Sequence, residues 1–232
     1  MDAKTYYNQG LSHYLLNTPK KNVLTAFQHF EQAAQQGYAD AYYFLGRFYG
    51  LGDGVTLDFN KAMELYNEGK TLGSAKCGYA LAMMYHSGYG VDKDEKMADQ
   101  LFAEHYQMLM IEANHGDPVS MHILGTYYYY GFHVQRYVFS AIDWLLKASN
   151  KGYSDSQYML GMIYETLGED SNQTEKAIPF YEKAAAQDHP YAQYALAMIA
   201  LEKEDFSKAE FLLEKAALQQ YALAAYSLAK LY

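Results

Sequence analysis

Residues 41–62 read AYYFLGRFYGLGDGVTLDFNKA, and the rest of the chain repeats their pattern. In this stretch the small residue Gly46 is followed sixteen positions later by Ala62. A small residue and a later alanine pair in this way six times, as Gly10/Ala26, Gly46/Ala62, Ala82/Ala98, Gly125/Ala141, Gly161/Ala177 and, at a spacing of twelve, Ala197/Ala209. The first members are 36, 36, 43, 36 and 36 residues apart, and 32 more residues lead to Ala229. A period in this range predicts an array of similar structural units.

Each repeat is predicted to contain two helices joined by a turn. The first helix carries Leu-Gly-x-x-Tyr or a close variant, as at residues 45–49 and 124–128. The second helix starts after Asp58, Asp94 or Asp205, whose carboxylates can accept hydrogen bonds from the free amides of a helix start. In four repeats a glycine follows the second helix, at a place where a residue with left-handed backbone angles commonly ends a helix. These glycines are Gly37, Gly73, Gly116 and Gly152.

Leucines beside the small residues predict the core. They stand one position earlier, at Leu45, Leu81, Leu124, Leu160, Leu196 and Leu228. Together with the tyrosines three positions after the small residues, of which Tyr128 is one, these leucines fall on one helical face. Cys77 stands five positions before the small residue Ala82, and small residues occupy the same place in the other repeats. We therefore predict that Cys77 is a buried small side chain and not a nucleophile.

These residues resemble the Sel-like repeats, a branch of the tetratricopeptide-type helical repeats. Residues 41–62 match that family's pattern nearly throughout, and residues 81–98 match it with Met97 in place of a lysine. The resemblance covers essentially the whole chain and implies an all-α fold, a right-handed α/α solenoid of helix-turn-helix repeats. We expect one solenoid domain over residues 1–232, with repeats at about 3–38, 39–74, 75–117, 118–153, 154–189 and 190–221 and a partial repeat at 222–232.

The third repeat departs from the pattern by seven extra residues in its second helix. Seven residues turn an α-helix by about 700°, so the apolar face returns nearly to phase and the helix should be two turns longer. The segment 107–113 includes four consecutive apolar residues, 108–111, which cannot all face one core. We therefore expect a second contact surface there, for self-association or a secondary contact.

The C-terminal helix is a second candidate for self-association. Its Leu228 and Ala229 match the core columns, and the matching second helix does not follow within the 232 residues. Two explanations stay open: the natural chain continues, or this helix pairs with another copy of the chain.

Charge and composition exclude several classes of partner. The net charge is −9, spread evenly, and no Lys/Arg cluster of the kind that binds phosphate backbones is present, so we expect no nucleic acid. No run approaches the roughly 18 apolar residues of a membrane helix, so we expect no membrane insertion. The first residues lack a secretory signal, which favours a cytoplasmic protein, or a secreted or periplasmic one if a signal has been removed.

The sequence offers no set of residues for catalysis, a metal or a cofactor. One cysteine cannot form a thiolate zinc site. The eight histidines include no pair three or four residues apart, and His86 and His122 could meet only across adjacent repeats. The glycines of residues 50–54 follow a helix and recur in the next repeat, so we interpret them as a turn and not a phosphate-binding loop. We expect that the chain is not an enzyme.

A column of tyrosines defines the candidate binding surface. It stands three positions before each small residue, at Tyr7, Tyr43, Tyr79, His122, Tyr158, Tyr194 and Tyr226. This position lies about 200° around the helix from the leucines, and the family resemblance places that face in a concave groove. The alternative is that these rings pack against the next repeat, and one ring can do both. The predicted groove residues are Tyr43, Arg47, Tyr79, Met83, His86, His122, Tyr129, Tyr130, Tyr158, Met162 and Tyr194.

An aromatic, weakly charged groove with interspersed methionines suits an extended or helical peptide. We therefore predict a non-catalytic scaffold or adaptor that binds a protein or peptide partner. Two alternatives stay open. Tyrosine rings also stack on sugars, which would make the chain a glycan-binding solenoid. The chain could also be the repeat region of a larger enzyme, such as a relaxase.

Overall fold

The computed structural model describes residues 1–14, 22–167 and 171–231. In these residues the regular structure is helical, with no strand. The helices are α1 (Ala3–Tyr14), α2 (Val23–Gln35), α3 (Ala41–Leu51), α4 (Phe59–Thr71), α5 (Ala75–Ser87), α6 (Glu95–Asn114), α7 (Pro118–Tyr130), α8 (Val138–Asn150), α9 (Ser154–Thr166), α10 (Ser171–Ala185), α11 (Pro190–Glu202), α12 (Phe206–Leu218) and α13 (Ala222–Leu231). The predicted fold class, an all-α repeat solenoid, is confirmed.

The helices pack in consecutive pairs, and the described residues fall into two compact units. Residues 1–14 and 22–148 form the first unit, and residues from 149 onward form the second. In the first unit α1 packs on α2, α3 on α4 and α5 on α6; in the second, α9 packs on α10 and α11 on α12. The single domain expected over residues 1–232 stays a prediction.

Capping residues set the helix boundaries where the sequence indicates them. The carboxylates of Asp58, Asp94 and Asp205 accept hydrogen bonds from the amides three residues later, at 2.9, 2.9 and 3.1 Å. Each bond satisfies an amide that has no partner inside the helix. His133 takes a left-handed φ of 57° where the two preceding turns have glycine, so the turn keeps its shape without the glycine.

The small residues of the first helices let the two helices of a repeat approach closely. A Cβ added at Gly46 would lie 2.2 Å from the ring of Tyr66, and one at Gly161 would lie 2.4 Å from the ring of Tyr181. Both rings come from positions four residues after the column alanine. A side chain larger than hydrogen would therefore separate the two helices of each repeat.

The core includes the predicted leucines and is wider than predicted. Leu45, Leu81, Leu124, Leu160 and Leu196 are buried, and so is Cys77, as predicted. Positions two before and two after the small residue are buried as well, as at Phe44, Phe48, Ile123, Tyr127, Met159 and Ile163. The prediction that Tyr128 is the core tyrosine of its run is wrong, because Tyr127 is fully buried and Tyr128 only partly. The buried surface of a first helix is wider than the single face predicted, because this helix contacts both the second helix of its own repeat and the neighbouring repeats.

The insertion lengthens α6 as predicted. This helix has 20 residues, whereas α4 has 13. Leu109 and Ala113 continue the buried face, and Met108 and Ile111 are exposed on the other side. Self-association through residues 107–113 stays a prediction.

Candidate functional site

The tyrosine column in the first unit lies inside the repeat stack. Tyr43 and Tyr79 are only 4% and 9% exposed. The first helices contact one another, α3 with α5 and α5 with α7. The ring of Tyr79 packs on that of Tyr127 on α7, and the ring of Tyr43 packs on Tyr66 of its own repeat. The Tyr79 hydroxyl is 3.0 Å from the hydroxyl of Thr126 on α7, within hydrogen-bonding distance. The expectation that Tyr43 and Tyr79 face an open groove is therefore wrong, and the alternative of packing against the next repeat describes Tyr79.

A regular contact explains the column. The ring three positions before the small residue of one repeat meets a residue that stands shortly before the first helix of the next repeat. Where that residue is aromatic, the two rings pack, as in Tyr7–Tyr38 at 4.6 Å, Tyr158–His189 at 4.9 Å and Tyr194–Tyr221 at 5.3 Å between centroids. The column is thus part of the contact between successive repeats.

In the second unit the same contact leaves its rings partly accessible. Tyr158, Met162 and Tyr194 are half-buried. The Nδ1 atom of His189 accepts from the amide of Ala192, 3.3 Å away, and its Nε2 faces the Asp155 carboxylate at 3.4 Å. His189 therefore caps α11 with a ring that also stacks on Tyr158.

Several predicted groove residues of the first unit converge near the end of α7. Arg47, Met83, His86, His122 and Tyr129 are half-buried. Tyr130 is 53% exposed and its ring lies 4.9 Å from that of Tyr129. His86 and Tyr130 both contact Phe132, at 5.1 and 5.3 Å. The structure thus brings His86 and Tyr130 together on Phe132, a ring that the sequence prediction missed, with Tyr129 beside Tyr130.

The turn after α7 carries further exposed side chains that the prediction missed. The Nε of Arg136 donates to the carbonyl oxygen of Tyr129 at 2.9 Å, and its guanidinium lies 5.5 Å from the centre of the Tyr129 ring. Tyr137 and Phe139 are 57% and 69% exposed, with their ring centroids 6.0 Å apart. The sequence held a signal for them, since Tyr137 stands where the two preceding repeats have a capping aspartate.

A buried lysine in the first unit joins carboxylates of the second and third repeats. Lys76 is 1% exposed, and its Nζ lies 2.6 Å from Asp40, 2.7 Å from Glu112 and 3.6 Å from Asp117. Burial alone would lower the pKa of Lys76, but the three carboxylates outweigh it and raise the pKa above its usual value. Lys76 therefore stays charged in this ion cluster, which we define as Lys76, Asp40, Glu112 and Asp117.

The ion cluster holds the neighbouring polar groups in place and offers no reactive group. The hydroxyls of Ser74 and Ser120 donate to Asp40 and Glu112, at 2.6 and 2.5 Å. Burial raises the pKa of the adjacent Cys77 thiol, so the reactive thiolate is disfavoured. Among the described residues, no three His, Cys, Asp or Glu side chains form a group that could hold a metal ion. No helix in the described ranges is long and apolar enough to cross a membrane.

The comparisons with known proteins settle the family. The model of the Sel1 repeat matches six times, at residues 6–38, 39–74, 75–103, 118–153, 154–189 and 190–221. The chain belongs to the Sel1 repeat family. In the third Sel1 repeat the match stops at residue 103, before the segment that lengthens α6.

Two relatives and one solved structure illustrate the kinship of this Sel1 repeat chain. The chitin synthase regulator SKT5 of Saccharomyces cerevisiae is 32% identical over 154 residues, which are 65% of this chain and 21% of that protein. HRD3B of Arabidopsis thaliana, an ERAD-associated E3 ubiquitin-protein ligase component, is 30% identical over 152 residues, which are 62% of this chain and 24% of that protein. A Sel1 repeat protein from Klebsiella pneumoniae shares the fold, with a TM-score of 0.54, 20% identity and coverage of 88% of this chain and 98% of that one. The chain thus spans about a quarter or less of the length of these two relatives.

Proposed function

We propose that this Sel1 repeat chain is a non-catalytic scaffold or adaptor that binds a protein or peptide. Two relatives support the proposal by their names: one is a regulator of chitin synthase, and the other is a component of a ubiquitin ligase. Neither name assigns the reaction to the Sel1 repeat protein itself. The chain would accordingly position another protein and leave the chemistry to it.

The observation that carries the proposal is the exposed aromatic surface at the end of α7. Tyr129 and Tyr130 pack edge to face there, and Tyr130 keeps half of its surface in contact with solvent. Tyrosine contributes a large and fairly rigid contact area, which is why it is common among the residues that dominate binding energy. In the first unit this surface replaces the buried Tyr43 and Tyr79 as the proposed binding site.

Affinity capture with quantitative mass spectrometry tests the proposal. The full chain would be immobilised beside its Tyr129→Ala/Tyr130→Ala variant, with circular dichroism and thermal melting to verify that both are folded. We expect a set of proteins that wild type retains and the variant loses at least tenfold, corresponding to about 1.4 kcal/mol or more of binding free energy. If the two captures are identical, the surface is not the binding site. Tyrosine-dependent binding on a glycan array, without protein capture, would favour the glycan alternative.

A further inference from the structure

Three equivalent turns of the first unit end at a helix-capping position that does not hold the same residue in all of them. They cover residues 52–58, 88–94 and 131–137. In the first two, the last residue is an aspartate, Asp58 or Asp94, which accepts a hydrogen bond from the third amide of the next helix. In the third turn Tyr137 stands at that place. A phenol is a poor substitute for a capping carboxylate, so the fourth repeat gives up a stabilising contact that the second and third repeats keep.

Exposed rings stand where the other two turns have polar groups. Tyr137 replaces an aspartate, and Phe139 occupies the position of Asn60 and Lys96. These two rings lie close together and are mostly exposed, as given above. A local departure from good capping that also exposes apolar surface is typical of a site kept for binding.

The charge around this turn differs from that of the rest of the chain. Residues 119–142 contain Arg136 and no aspartate or glutamate, although the chain has 27 acidic residues and a net charge of −9. Within the described ranges, no carboxylate lies within ion-pair distance of Arg136. Its Nε bonds the Tyr129 carbonyl, which fixes the plane of the guanidinium while its terminal nitrogens remain as donors.

We infer that Arg136, Tyr137 and Phe139, which we define as the α7–α8 surface, dock an acidic peptide segment with apolar anchor residues. Carboxylates of the peptide pair with the Arg136 guanidinium, and its apolar side chains cover Tyr137 and Phe139. Tyr129 links this surface to Tyr130, because its ring contacts both Arg136 and Tyr130. The inference rests on the proposed function and adds the chemistry of the partner.

The test uses a variant copied from the chain itself. Tyr137→Asp/Phe139→Asn introduces the residues of positions 58 and 60, which removes both exposed rings and supplies a capping carboxylate. We expect this variant to melt at the same temperature as wild type or higher. Tyr89→Ala is the matched control, since Tyr89 is an exposed tyrosine in the preceding turn and its ring stacks on Phe59.

A phage library of random twelve-residue peptides would be selected on the wild-type chain and counter-selected on the double variant. We expect the enriched peptides to be rich in Asp and Glu with one or two aromatic or aliphatic residues. The most enriched peptide, synthesised with a fluorophore, should bind the double variant at least tenfold more weakly and the Tyr89→Ala control unchanged. Arg136→Gln should weaken binding and reduce its dependence on salt concentration.

The inference is overturned if the enriched peptides are neutral or basic, if no peptide is enriched, or if the double variant binds as tightly as wild type. Binding of an anionic oligonucleotide in preference to the peptide would also overturn it. The affinity capture is an independent measurement: proteins captured through Tyr129 and Tyr130 with no acidic-peptide binding would leave the proposed function standing without this inference.

Discussion

The two units build the contact between successive repeats from different chemistry. In the first unit, the residues just before the first helices α5 and α7 are Ser74 and Asp117. The Ser74 hydroxyl donates to Asp40, and the Asp117 carboxylate faces the buried Lys76. In the second unit, the corresponding residues are aromatic: His189 stacks on Tyr158, and Tyr221 meets Tyr194 edge to face. Glutamines add amide hydrogen bonds there. Gln187 donates to Gln157 at 2.7 Å, both of them buried, and the half-buried Gln219 donates to the buried Gln193 at 2.9 Å.

Small residues and leucines repeat in both units, so they define the repeat itself. The contact between repeats differs between the two units, and its contribution to the free energy of unfolding should differ as well. A buried charge that loses its partner is costly, because the remaining charges are poorly solvated. A neutral amide that loses its partner costs less. The two units should therefore respond differently to the loss of a single side chain.

The largest effect is expected from Lys76→Ala. This change leaves Asp40, Glu112 and Asp117 facing one another without a cation, and we expect it to lower the free energy of unfolding by about 3–5 kcal/mol. Urea unfolding followed by circular dichroism measures the loss. Lys61→Ala is the control, since Lys61 pairs with Glu64 on the surface, and it should change stability by no more than about 0.5 kcal/mol. Equal losses for the two variants would show that the ion cluster contributes nothing special.

A smaller loss is expected from Gln193→Ala in the second unit. Gln193 is buried, accepts from Gln219 and donates to Asp188, so the change removes two part-buried hydrogen bonds and should cost about 1–3 kcal/mol. Replacing both Gln193 and Gln219 by leucine should cost less than Gln193→Ala, because neither amide is then left without its partner and the Asp188 carboxylate is 31% exposed to solvent. The same urea titration measures both. A double variant less stable than the single one would argue against this account of the contact.

The third prediction concerns association through the second unit. Leu223 and Tyr226 are exposed on α13, so we expect association that rises with concentration, and Leu223→Glu should weaken it about tenfold. Sedimentation equilibrium measures the dissociation constant. Leu24→Glu places the same change at an exposed leucine of the first unit and serves as the control. If wild type remains a monomer at high concentration, self-association through α13 is excluded.

The smallest effect is expected from pH and belongs to the first unit. The ring of His105 fits against Gly78 so closely that a Cβ added to the glycine would lie 1.7 Å from the ring. In the second unit a glutamine stands at the position of Gly78 and an alanine at the position of His105. Burial lowers the pKa of His105 below its usual 6.5, so the folded chain holds it neutral. Below about pH 6.5 the unfolded chain binds the extra proton. Stability should therefore be constant above pH 7 and fall slightly as the pH drops below it.

Thermal melting between pH 5 and 8 measures this dependence, with His105→Gln as the control for the other histidines. The variant should show a weaker decline than wild type in the acidic range. An identical decline for both would assign the pH dependence to other groups.

The sequence by itself determined the repeat, the helix pairs, their caps and the leucine core. These features depend on spacing within one repeat, where helical geometry converts sequence distance directly into a shared face. The longer α6 followed from the same rule, since seven residues are close to two full turns.

Only the tertiary structure decided which faces of the first helices meet solvent. Spacing within one helix gives the angle of Tyr43 or Tyr79 around its axis, but another repeat covers that face. The ion cluster has the same origin: Asp40 and Glu112 each lie 36 residues from Lys76 in the sequence and hold its ammonium from two other helices. A lone lysine in a sequence shows no sign of such partners, because burial and pairing are set by how repeats pack on one another.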